Sequence, residues 1–553
     1  MPAPALYWVK RDFRLADNPA LTRALAEHAT VLPLFILEPS ALRAPETSEL
    51  HIHAQCDAFN GLHTAVAAAG GELGFAYAEV VELLGRLHTA QPFDRLYSHQ
   101  ETGVNRTYER DLAVAAWCED HGVTWTEVLQ TGVYRGKVDR DKRHRDWTKF
   151  YNAPPAPRVA PADVSRLRVA LPYREILAEY APPFPSNPIA PAAAPVLMYA
   201  TSGLPTDIFY PHPTLLGERA SGPLHPTCFG MPLNPEQERY VQPVNEGAAE
   251  VTLNSFINER GFDYSKGMSS PNQAFYRCSR LSVHLAWGTI SGRQVYQSVG
   301  RRMEELKELA DRLDKKSTEA KRAKTWASNL RSFRSRLHWR DHFTQRLETE
   351  VEMEHRPLNP NFWELELENS DELYTAWITG TTGYPMVDAC IRCMHTTGYV
   401  NFRMRAMLTS VAAHMLHLDF RRIDKPMARI YTDYEPGIHL AQLQMQAGMV
   451  GINTLRTYSP EKQFTDHDPE AAFVHRWVPE LRDYPAKEIA KRDLTQPLGT
   501  YPAAVVERTP RIRAYKKLIG DLKYREGGRE INERVFQKHG SRRGPRRQKA
   551  VKT

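Results

Sequence analysis

From its N-terminus the chain sets short apolar runs between amphipathic stretches. "ALYWVK" (5–10), "VLPLFIL" (31–37), "LGFAY" (73–77) and "RLYSH" (95–99) have the length and the aromatic or β-branched content of strands. Between the first two lies "ADNPALTRALAEHA", where Asp17 or Asn18 is placed to cap a helix beginning at Pro19. The Ala-rich "AFNGLHTAVAAAG" reads as a further helix. Strand and helix in alternation over residues 1–131 predict an α/β domain, a doubly wound parallel sheet covered on both faces. No G-x-G-x-x-G follows the first strand, so a nicotinamide-dinucleotide site is not indicated. Prolines then recur every few residues from Asn152 to about Gln242, and the stretch 132–242 is expected to be a connector without long helices. From 243 to 530 the period turns helical: Trp326, Leu330, Phe333 and Leu337 fall on one stripe, and an all-α domain is expected. Residues 531–553 read as a basic, disordered tail.

Length agrees with this division, because 553 residues exceed the ~250 to 300 at which single cores stop growing. No run approaches the ~18 apolar residues of a membrane helix. The apolar run near the N-terminus ends at Lys10, too early for a secretory signal, so a cytoplasmic monomer with no membrane partner is expected. Of the cysteines at 56, 118, 228, 278, 390 and 393, only Cys390 and Cys393 are neighbours. They fall in "VDACIRCMH", which reads as helix interior, and no second pair completes a metal site. The net charge of +7 is unevenly placed: Lys321 to Arg346 carries eight Lys or Arg against Asp341 alone, and "SRRGPRRQKAVKT" carries six with no acid. Such clusters fit an acidic polymer as partner, or a solvated helix face and tail.

Two stretches carry chemistry. In "CSRLSVHLAWGTIS" (278–291) hydroxyls and a guanidinium gather at the entry to a helix, where Ser279, Arg280 and Ser282 are suited to a diphosphate. In "YTDYEPGIHLAQLQMQAG" (431–448) Asp433 and Glu435 share a tight loop, which needs a donor for each carboxylate. Arg405 is a candidate donor; Arg403, two residues earlier, points about 200° away on the same helix and is free to face solvent or a ligand.

These stretches, with "YWVKRDFRLADNPAL", "TGYPMVDACIRCMHTTGYVNFRMR" and "RTYSPEKQFTDHDPE", resemble the photolyase/cryptochrome family in that order across nearly the whole chain. The resemblance implies an N-terminal domain able to hold an antenna chromophore of unidentified type, and a helical domain holding FAD. Cys278, Ser279, Arg280, Leu281 and Ser282 match the family's diphosphate clamp, with Cys in place of Thr. Tyr264 matches an upstream aromatic contact to FAD. Asp433 matches the carboxylate that pairs with Arg405 beside the isoalloxazine, and Glu435 matches the acid near flavin N3–H. In the family's enzymes reduced flavin excited by blue light sends an electron into a pyrimidine dimer flipped out of DNA. "RSRLHWRDHF" matches the dimer-contacting helix. Trp339 holds the position of the Trp that stacks on the lesion, although by pattern alone it is equally a core residue. Arg340 and Arg403 are matched to phosphate contacts.

The match has gaps. Cyclobutane-dimer enzymes carry a Glu where this chain has Arg336, which can donate to a dimer carbonyl but stays charged. Phe402 replaces an Asn of their pattern, and the two histidines of six-four enzymes are replaced by Asn401 and Phe402. His439 aligns with the residue that faces flavin N5, where it could pass a proton. Leu443 and Phe420 stand at two positions of the family's Trp relay, leaving Tyr384, Tyr399, Trp363 or Trp377 as alternative electron carriers. The resemblance thus implies light-driven repair of pyrimidine dimers, cyclobutane dimers foremost, with His439, Arg405 and Arg336 as catalytic residues. A cryptochrome-type blue-light receptor that binds FAD without repair is the alternative. A nucleic-acid-binding structural protein is a third reading, in which Ser279, Arg405, Asp433 and Glu435 would be needless.

Overall fold

The computed structural model describes residues 4–136, 139, 142–182, 216–452 and 455–540. Five parallel strands, β1 (Ala5–Val9), β2 (Val31–Leu37), β3 (Gly74–Tyr77), β4 (Arg95–His99) and β5 (Thr124–Val128), form one sheet in the order β3-β2-β1-β4-β5. The central strand sets Ala5 opposite Val31, and Leu6 opposite Leu32 on one side and Leu96 on the other. Tyr7 and Val9 enter a core with Phe35, Ile52 and Phe59, while Leu6 and Trp8 enter a second core with Leu83, Leu87 and Val114. Because both faces are covered, β1 and β2 are buried at every position and read as unbroken apolar runs. Asn18 caps the helix Pro19–Glu27, its side chain accepting from the Leu21 amide at 3.0 Å. Asp17 instead turns the chain at φ 47° and binds Ser291 and Arg293 of the helical half.

The helical half is centred on Pro385–Thr397, Phe402–His414 and Pro436–Ala447. Cys390 and Cys393 lie fully buried among Met407, Val411 and their neighbours. The helix Pro436–Ala447 crosses the long helix Thr318–Thr349 so closely that a Cβ on Gly437 would sit 2.5 Å from the Thr344 Cα. Glycine is required there by backbone contact alone.

Between the halves, residues 142–182 and 216–242 hold only short helices, of which Arg143–Asn152, at 10 residues, is the longest. They are packed and not extended: Leu167 bridges in parallel to Val31, and Tyr173 is buried in the second sheet core. The stretch starts at a clamp. Asp341, fully buried on the long helix, accepts from the Tyr151 hydroxyl at 2.6 Å, the Trp147 indole at 3.0 Å and the Gly132 amide at 3.0 Å. The Pro-rich run from 183 to 195 lies outside the described residues. Further contacts join the halves directly. Arg14 donates to the Gly288 carbonyl at 2.8 Å, and Glu246 accepts from the amides of Leu15 and Ala16.

The C-terminal expectation needs correction. Residues 528–539 form a helix, Gly528–His539, in which Val535 is buried and Asn532 accepts from Asn359 and Asn361 at 2.9 and 3.1 Å. Buried amide contacts order a segment whose charge alone looked like a tail. Residues 541–553, which hold the whole basic cluster, lie outside the described residues. No helix among the described residues is long and apolar enough to cross a membrane.

Candidate functional site

The turn at 278–281 is held from behind by a residue without a motif. Arg260, fully buried, donates to the carbonyls of Thr252, Tyr276, Cys278 and Ser279 at 2.9, 3.0, 2.6 and 3.1 Å. Burial and the neighbouring Arg280 push its pKa down to about 10. Arg280 itself sits in the left-handed region at φ 62°, with its Nε donating to Gln242 at 3.1 Å and its carbonyl accepting from the same amide at 2.9 Å. Its guanidinium lies 3.7 Å from the Tyr399 ring centre, and its buried Nη1 has no protein partner. Leu281 points into the core and Cys278 contacts the Tyr399 hydroxyl. The following helix, Ser282–Trp287, has only six residues, so the donors here come from the turn more than from a helix dipole.

Ser282 joins this turn to the acidic loop, because its hydroxyl lies beside the Asp433 carboxylate. Arg405 grips the same carboxylate from the other side, Nη1 to Oδ1 at 2.9 Å and Nη2 to Oδ2 at 3.1 Å. Burial opposes ionisation of Asp433, but Arg405, Ser282 and Arg280 together hold its carboxyl below the ordinary value. Burial likewise opposes the charge on Arg405, and Asp433 raises it above the ordinary value. Clamp and carboxylate therefore face one hollow.

Other expected members of the site are placed differently. Glu435 turns to Arg340, which is anchored at 3.2 Å to Glu435, at 3.2 Å to Asp341 and at 3.1 Å to the Leu285 carbonyl. Arg340 is thus a buried ion-pair partner and not a phosphate contact: one step along the helix from Trp339 turns it about 100° inward. Burial raises the Glu435 pKa against the pull of Arg340 and Arg11, with Glu101 and Asp341 adding repulsion. His439 donates through Nε2 to Asp424, at 2.9 Å to the carboxylate and 3.1 Å to the carbonyl, so this nitrogen is engaged away from the Arg405–Asp433 pair. Asp424 draws it there as a buried acid next to Lys425.

Trp339 and Phe402 are each 49% exposed, which rules out the core reading of Trp339. Arg336 and Arg403 lie 5.6 and 5.7 Å from the Phe402 ring centre. Arg336 also lies beside the hydroxyl of the buried Tyr264, so this exposed mouth adjoins the hollow. Of the possible electron carriers, Tyr399 lies against Arg280, Trp377 and Tyr384 are buried in the central core, and Trp363 is exposed at 50%. Arg260 and Gln242 had no sequence signal, since their partners are main-chain groups or a distant side chain.

A parallel α/β domain joined to a helical domain, with a diphosphate-type turn facing a carboxylate–guanidinium pair, defines a dinucleotide-binding flavoprotein architecture. Residues 5–153 match the family described as DNA photolyase, and residues 333–523 match the FAD binding domain of DNA photolyase. The chain belongs to the photolyase/cryptochrome family. It is 26% identical over 532 residues to deoxyribodipyrimidine photo-lyase of Synechococcus, covering 95% of this chain and 98% of that one. To the Escherichia coli enzyme of the same name it is 26% identical over 524 residues, 91% and 95% of the two chains. Its fold is that of a class III photolyase from Agrobacterium tumefaciens, with a TM-score of 0.70, 21% identity and 95% and 98% coverage. A cryptochrome from Synechocystis gives 0.70, 18% identity and 94% and 99% coverage.

FAD is the cofactor of this domain family, and the residues fit it. The unpartnered Nη1 of Arg280 beside Ser279 and Ser282 suits a diphosphate, and Arg405 with Asp433 suits a flavin ring. For a second chromophore the fit is poorer. The cavity at the C-terminal edge of the sheet, lined by Trp8, Lys10, Phe35, His51 and Trp287, has a volume of about 100 Å³. Pockets for drug-sized ligands start at ~300 Å³, so in this shape it is too small for a flavin-sized pigment.

Proposed function

We propose that this chain is a light-driven DNA-repair enzyme acting on pyrimidine dimers, with the cyclobutane dimer as its lesion. FAD bound in the hollow supplies the chemistry, one electron lent to the dimer and returned after the ring opens. The chain's residues bind and orient. Arg405, balanced by Asp433, places positive charge where a reduced flavin ring needs it in a dry site. Trp339 and Phe402 offer π faces against which a flipped-out dimer packs, at ~1 to 3 kcal/mol per base. Arg336 donates to the lesion's carbonyls, and Arg403 is available to a phosphate. The observation that carries the reading is the mouth itself: two half-exposed aromatic rings flanked by two guanidinium groups, next to Tyr264 and the clamp.

A receptor that keeps FAD and has lost repair is favoured by one feature. Arg336 stands where an acid is expected and cannot move a proton. Blue irradiation of the reduced protein with dimer-containing single- and double-stranded oligonucleotides separates the two. Restored thymine absorbance is the expected result. Bound flavin without repair would establish the receptor instead, and a colourless protein would exclude both.

A further inference from the structure

The long helix Thr318–Thr349 carries more than the mouth. It is the second arm of a helical hairpin whose first arm is Gly292–Arg312. The arms treat their charges differently. On the first, Arg302 pairs with Glu305 at 2.9 Å, Lys307 with Glu304 at 3.7 Å and Arg312 with Glu308 at 3.2 Å. On the second, Lys321, Lys324 and Arg331 are exposed, and among the described residues no carboxylate lies within ion-pair distance of them. From Lys321 to Arg340 the sequence has seven Lys or Arg and no acid.

Position matters as much as charge. Lys321 precedes Trp339 by five turns at 3.6 residues each, so the two share a face about 27 Å apart. Lys324, Thr325, Ser328, Arg331 and Ser335 lie on that face between them, all exposed. Between the cations, Thr325, Ser328 and Ser335 are short hydroxyls that leave a polymer room to approach. An uncompensated row of like charge is self-repelling unless a polyanion lies along it.

We propose that this face is a docking rail for the DNA backbone flanking the lesion. At 3.4 Å per nucleotide step, 27 Å corresponds to about eight base pairs leading away from the mouth. Where the flank starts rests on the repair reading, but the rail's affinity for duplex does not.

The test uses full-length, flavin-loaded protein and the triple variant Lys321→Gln, Lys324→Gln, Arg331→Gln. Binding is measured across a salt series to duplexes with ten or three base pairs on each side of a dimer, and to undamaged duplexes of equal lengths. On the long duplexes, damaged and undamaged, the triple variant should lower the slope of log K against log salt by about 2 to 3. It should weaken low-salt binding at least tenfold. On the short duplex anchored by its dimer, variant and parent should coincide, with flavin per chain unchanged throughout. Lys307→Gln, which removes a cation already paired with Glu304, should change nothing. An unchanged slope on the long duplexes, or an equal drop on the short dimer-containing one, would overturn the rail. A parent protein that repairs no dimer under blue light, with the slope change still seen, would count against the repair reading and leave the rail standing.

Discussion

Consider a double-mutant cycle on Arg405 and Asp433, using Arg405→Met, Asp433→Leu and both together. The pair is bidentate, 2.9 and 3.1 Å, with side-chain exposures of 25% and 9%. With the carboxylate gone, Arg405 keeps one protein acceptor in the hollow, the Val400 carbonyl at 2.8 Å, and lies 4.2 Å from the Tyr431 ring. A buried charge left without its partner costs about 3 to 5 kcal/mol, whereas exchanging both partners for apolar groups of similar size is often near neutral. Each single change should therefore cost about 3 kcal/mol or more, and the double less than their sum by at least ~2 kcal/mol. Urea denaturation of all four proteins after flavin removal, followed by circular dichroism, isolates the pair from the cofactor. Flavin retention, read separately before that step, should fall in every variant. Additive single costs, or single costs below ~1 kcal/mol, would refute the claim that the pair organises the hollow.

Replacing Ser279 and Arg280 together by Ala should strip most FAD, read as flavin absorbance per chain; full occupancy would refute the clamp. Trp339→Ala should weaken dimer binding by ~1 to 3 kcal/mol, about 5- to 150-fold, and leave flavin content unchanged; equal loss of both would mean the ring supports the fold. Acid should destabilise the protein early. Burial holds His51 and His414 down to about 4, and His53 and His284 down to about 3. A histidine kept neutral in the fold contributes fully above its unfolded value near 6.5, and the contribution shrinks as pH falls towards the folded value. By pH 5 each should have lost about 2 kcal/mol, so the melting temperature should fall steeply from pH 7 to 5, and a flat profile would contradict their burial.

How far residue patterns carry can be judged from particular elements. Four strands were legible because both sheet faces are covered: three are apolar throughout, and Arg95–His99 keeps Leu96 and Tyr97 at its centre. The fifth, Thr124–Val128, was not: it is an edge strand that mixes Thr and Glu with Trp and Val, none of them buried, and "TWTEV" looks like a loop. The clamp and the Arg405–Asp433 pair follow from motif residues that meet as expected. Glu435, Arg340 and His439 went elsewhere because each has a buried opposite charge or acceptor within reach, Arg340 for Glu435 and Asp424 for His439. Such choices depend on three-dimensional neighbours far apart in the chain. Arg260 shows the limit most clearly, since its main-chain partners leave no trace in side-chain spacing.

The Asp341 clamp bears on how the polypeptide can be divided. Its three donors come from residues 132, 147 and 151, before any boundary that would release the helical half as a unit. A fragment starting at residue 243 would keep Arg340 beside Asp341 but lose all three of these hydrogen-bond donors. The pigment-holding half and the sheet are two territories on a map but a single cooperative object in solution, and truncation between them should yield an insoluble product.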